Sequence, residues 1–146
     1  VGPGGNFIPV KLVYNARSEF YSVGVKIDYY HVLVTGEWAR SQAPPQFPNL
    51  EGFYVMLGIH FGKFLPNITY SEVLTLNTAQ LVASGGELPQ SQRTYTAGFA
   101  SYINSNLVTK VSVSRITPLR GTFGFFDANP GRSHVLFYGV SLDAVF

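Results

Sequence analysis

Residues 133–146 read SHVLFYGVSLDAVF, and the way this stretch alternates decides the kind of fold the chain can adopt. Successive side chains of an extended strand point to opposite faces. Leu136, Tyr138, Val140, Leu142, Ala144 and Phe146 therefore share one face, and Phe137, Gly139, Ser141, Asp143 and Val145 share the other. The first face suits lipid. The second, carrying a glycine, a hydroxyl and a carboxylate, suits a hydrated interior better than a dry core. An ordinary sandwich strand has the same period, so the rest of the chain must choose between the two.

The same period recurs upstream. Ile8, Val10, Leu12 and Tyr14 alternate with Pro9, Lys11, Val13 and Asn15, and the proline places that segment at a strand start or an edge. Tyr21, Val23, Val25 and Ile27 oppose Ser22, Gly24, Lys26 and Asp28. Val32, Val34, Gly36 and Trp38 oppose Leu33, Thr35, Glu37 and Ala39. Phe53, Val55, Leu57, Ile59 and Phe61 oppose Tyr54, Met56, Gly58 and His60. On the next run Ile68, Tyr70 and Leu74 point outward, and Glu72 interrupts them, which calls for a bulge or a position beyond the apolar band. Tyr95, Ala97, Phe99 and Ser101, then Leu107, Thr109, Val111 and Val113, continue the apolar face.

Eight strands are predicted in all, with no helix longer than a turn. Their connections alternate: short at 29–31, 62–66 and 104–106, long at 41–52, 77–92 and 117–132. Antiparallel neighbours put alternate connections at opposite ends, so one end carries tight turns and the other extended loops.

Composition agrees with a surface that does not all meet water. Charged residues make up 12% of the 146, against roughly 25% in an ordinary soluble domain. Aromatics reach 15%, almost all Tyr and Phe, and belts of such residues mark the two interfaces of a transmembrane barrel. A net charge of +2 argues neither for nucleic acid nor for long-range steering. No apolar run is long enough for a membrane helix, but a closed barrel also satisfies its backbone in lipid. Residues 1–146 read as one domain, and the opening VGPGGNF reads as a mature or truncated start.

The terminal stretch resembles the last strand of bacterial outer-membrane β-barrels, and three hairpins extend the likeness. Tyr21–Ser41, Gly52–Glu72 and Arg93–Pro118 are similar to the C-terminal half of bacterial porins of the general and porin-like type. In the third hairpin the matching residues are Tyr95, Gly98, Asn104, Lys110 and Arg115. The resemblance implies an all-β, antiparallel transmembrane barrel of about eight strands in this chain, half of a barrel of about sixteen. It further implies a bacterial outer-membrane location, lipid bilayer and lipopolysaccharide as surroundings, small hydrophilic solutes or ions passing passively, and a homotrimer. Tyr138, Leu142 and Phe146 take the place of the assembly signal, in which Ser141 stands where a glycine is expected. A complete eight-stranded barrel that does not conduct, serving adhesion or envelope integrity, fits the same pattern.

Inward parity selects Lys11, Lys26, Asp28, Glu37, His60, Lys110 and Asp143 as lumen-lining residues, either exposed to solutes or paired with one another in a filled interior. Arg40, Arg93, Arg115, Arg120 and Arg132 gather near the long loops, as a mouth for anionic solutes or as anchors for loops and lipid headgroups. No catalysis, metal or other cofactor is expected. His31, His60 and His134 have no metal-ligand spacing, and His134 and Asp143 stand too far apart on one strand to act with Ser133.

Overall fold

The computed structural model describes residues 17–44, 47–85 and 88–144. Seven antiparallel strands form one sheet in sequence order: β1 (Glu19–Tyr29), β2 (Val32–Gln42), β3 (Leu50–Ile59), β4 (Phe64–Thr75), β5 (Gln92–Asn104), β6 (Leu107–Pro118) and β7 (Val135–Ala144). The sheet is open among the described residues, with β1 and β7 as its edges. It has no second layer of strands, which removes the sandwich alternative for this region. The run at 7–15, Lys11 within it, and Phe146 lie outside the described residues.

The hairpin rhythm holds. Tyr30 and His31 turn β1 into β2, Ser105 and Asn106 turn β5 into β6, and Phe61 and Phe64 bridge the turn between β3 and β4. Tyr30 adopts φ 54° in the first of these turns, a left-handed conformation that a non-glycine residue takes at some cost.

The long connections lie at the opposite end and are tied to one another. Ser91 Oγ accepts from Thr75 N at 3.0 Å, Ser91 N donates to Thr122 Oγ1 at 3.1 Å, and Asn49 N donates to Asn77 Oδ1 at 2.8 Å. Thr75, Asn77 and Ser91 are buried there, and buried polar groups persist where they are bonded in this way. The loop holding Gly121 and Gly124 is fastened to the rim, Phe125 N donating to Gln92 Oε1 at 3.1 Å.

One expectation fails at this end. The second long connection contains a helix, α1 (Thr78–Ser84), longer than a turn. Ala79, Gln80, Leu81 and Ala83 are good helix formers, Leu81 supplies the one fully buried apolar side chain among the described residues, and Gly85 ends the helix at φ 62°. A helix this short shows no apolar periodicity, and the alternation of the strands around it hides it.

The sheet curves toward its polar side. One hollow of about 410 Å³ on that face, near the loops, is lined by β1–β4, and another of about 610 Å³, near the turns, is shared by Leu33 of β2 and Ser141 of β7. Leu33, Leu65 and Ala100 form a small buried cluster there, with Met56 and Val108 packed against it. Curvature crowds the inner side chains, and glycine relieves it. Across one ladder row Gly58, Asn67, Gly98, Ser112 and Gly139 alternate glycine with a side chain. A Cβ on Gly98 would stand 2.6 Å from Asn67 Oδ1, and one on Gly139 3.0 Å from Ser112 Oγ.

Candidate functional site: a two-faced wall

Each strand presents the parity expected of it. The polar, concave face holds Lys26 and Asp28 of β1, Glu37 of β2, His60 beyond β3, Lys110 of β6 and Asp143 of β7. Between these flanks the centre is lined by hydroxyls: Thr69, Ser71, Thr94, Thr96, Ser112 and Ser114, with Thr96 and Ser114 hydrogen-bonded at 2.7 Å. Four of these side chains meet in two contacts. Lys110 Nζ meets Asp143 Oδ2, and His60 Nε2 lies 3.5 Å from Asp28 Oδ1 without making a hydrogen bond. Lys26 and Glu37 have no ion-pair partner among the described residues.

The convex face carries the apolar set, and it is uncovered. Val25 is 56% exposed, Ile68 61% and Val140 80%. One ladder row reads Ile27, Val34, Leu57, Ile68, Ala97, Val113 and Tyr138. Six interstrand spacings make this field roughly 30 Å wide. Soluble monomers rarely leave a contiguous apolar field of that extent open to water.

Aromatic side chains bound the field at both ends. Toward the long loops stand Tyr21, Trp38, Phe53, Tyr70, Tyr95 and Tyr138; ring centroids lie 5.7 Å apart for Phe53 and Tyr70 and 5.0 Å for Tyr70 and Tyr95. Toward the turns stand Tyr29, Phe61, Phe64 and Phe99, the last two stacked at 5.4 Å. The loop-side belt does not follow a ladder row. Trp38 faces Val23, two residues past Tyr21, and the row through Tyr138 reaches β1 at Ile27, six residues past Tyr21. The belt thus slips one residue per strand. For it to lie level, the strands must tilt by about 35°, since a 3.3 Å rise is set against a 4.8 Å spacing.

Charges begin where the apolar field ends. Glu72 keeps its regular register on β4, so no bulge is present. It stays on the apolar face at the loop end, where Arg93 Nε approaches it at 3.1 Å and the Tyr70 hydroxyl donates to it at 2.7 Å. Arg40 and Glu51 make a looser pair at 3.8 Å. Arg40, Arg93 and Arg115 therefore project from the apolar face at the loop end, and the polar face does not carry them. Arg120 and Arg132 lie in the loop between β6 and β7. The alternation already holds the clue to the three strand arginines, since each shares the parity of the apolar residues beside it. Tyr138 and Leu142 also sit on the apolar face of β7.

The structure does not gather Ser133, His134 and Asp143 into a triad. Ser133 Oγ lies 3.2 Å from His134 Nδ1 on an exposed loop, while Asp143 is engaged by Lys110. Among the described residues no cluster of His, Asp and Glu is arranged to hold a metal. Comparison with family models, with curated proteins and with solved structures found no significant match.

Proposed function

We propose that this chain forms part of the wall of a bacterial outer-membrane β-barrel, a porin-like channel segment through which small hydrophilic solutes or ions diffuse passively. The observation that carries the reading is the convex apolar field with aromatic side chains at both ends and a slanted belt at the loop end. Along β1, Tyr21 and Tyr29 are separated by about 27 Å of strand, or about 22 Å of height at a 35° tilt. That is close to the apolar band of about 25 Å that transmembrane barrels present. The hydroxyl-lined concave face then borders water, the tight turns lie on the periplasmic side, and the stitched loops frame the outer mouth. Lipopolysaccharide surrounds the loop end, and a homotrimer is the assembly that the porin likeness suggests.

A second reading has its own support. The Lys110–Asp143 pair cancels charge on the concave face, and the His60 ring lies against Asp28 there, as expected for a non-conducting barrel with a filled interior in adhesion or envelope integrity. Reconstitution separates the two. The channel reading expects the refolded chain to float with phospholipid vesicles and to give steady conductance steps in planar bilayers. Flotation without conductance favours the filled barrel, and a monomer soluble without detergent removes both.

A further inference from the structure

The convex face is not uniformly smooth. A depression of about 630 Å³ runs over β3–β7, with Ala97 as its floor, Leu57 and Ile68 on one side, Val113 on the other, and the tilted rings of Tyr70 and Tyr95 toward the loops. Ala97 is the smallest side chain in its ladder row, which is why the field dips there. A shallower depression continues past Ala97 and Val113 to Phe99 and Val111. From Arg115 to Val111 the trough follows about 13 Å of strand.

Its loop end is marked by a cation. The aromatic belt has no ring on β6, and Arg115 takes the vacant position between Tyr95 and Leu136. Arg93 is matched by Glu72, and Arg40 has Glu51 nearby. Arg115 makes no ion pair or side-chain hydrogen bond among the described residues. A guanidinium at the interface, on a stem that crosses apolar surface, is placed to snorkel toward phosphate.

We propose that this trough is a site for one phosphate-bearing lipid of net negative charge, an acyl chain lying over Ala97 and the headgroup phosphate on Arg115. The proposal rests on the membrane reading above. An apolar groove with a single unpaired cation at its interfacial end matches an anionic amphiphile. A free phosphate would leave the groove empty, and a second copy of the chain would leave Arg115 unmatched.

The test is native mass spectrometry of the full chain, refolded into vesicles and released in mild detergent with equal phosphatidylglycerol and phosphatidylcholine of identical chains. The wild type retains one phosphatidylglycerol at tenfold or greater preference, and millimolar inorganic phosphate does not displace it. Arg115→Gln removes the headgroup preference while lipid is still retained. Ala97→Phe fills the trough and abolishes retention of both lipids. Circular dichroism and flotation on each variant report that the sheet is intact. Insertion without retained lipid, displacement by phosphate, or a dimer that appears in place of the lipid adduct overturns the site alone. Failure to float with vesicles overturns the membrane reading and the site with it.

Discussion

Asp143 and Lys110 hold each other at one flank of the concave face, and both remain about half exposed, at 48% and 54% of their side chains. A pair so open to solvent contributes about 0–1 kcal/mol to stability. Its larger effect is electrostatic, because it cancels a charge on the concave face, which borders the lumen in the proposed channel. Asp143→Asn is expected to leave Lys110 uncompensated. In planar bilayers under a KCl gradient the reversal potential should move toward anion preference, with the urea midpoint nearly unchanged. An unmoved reversal potential in a conducting channel would mean that Lys110 lies off the ion path. The shared face of these residues was legible in the alternation, but their pairing was not. Lys110 stands opposite Ser141, and Asp143 opposite Val108, so they meet on a diagonal that only the register reveals.

At the scale of the strand, the wall's sidedness makes neighbouring residues respond oppositely to one substitution. Ile68 stands on the convex face of β4, and Thr69 stands on the concave face between Met56 and Thr96. Ile68→Lys puts an ammonium in the middle of the apolar field, which costs about 2–4 kcal/mol at a bilayer midplane. Thr69→Lys stands on the concave face, which meets water in the proposed barrel, and is expected to cost under about 1 kcal/mol. Urea titration of the two variants folded in vesicles checks the contrast, and equal losses would contradict a lipid-facing convex side. Strands and loop lengths were readable because a period of two survives burial on either face. At Glu72 the alternation left two answers, a bulge or a place beyond the apolar band; the regular register selects the second, and the alternation could not choose because the partner, Arg93, is a strand away. The helix α1 was hidden because seven residues among polar loops leave no repeat to read.

For the whole sheet, the slip of the belt makes a measurable claim about orientation. Tyr21 and Tyr138 are level only if each strand is displaced by one residue relative to the last, which gives the tilt of about 35° from backbone dimensions alone. Transmembrane barrels tilt their strands by about 35–45° for the same reason, since closing a sheet requires stagger. The edges β1 and β7 add a second requirement. Their outward backbone groups are unpaired among the described residues, and in hydrocarbon each such group costs several kcal/mol. Further strands, from this chain or from another copy, must therefore meet both edges in a bilayer. The tilt of the seven strands does not depend on which of these completes the wall. Polarised infrared dichroism of the amide I band in oriented bilayers is thus expected to give 35–45° from the membrane normal. Strands lying within about 15° of the normal would place Tyr21 and Tyr138 at different depths. The belt would then have no common interface to mark, and the membrane reading would lose the observation on which it stands.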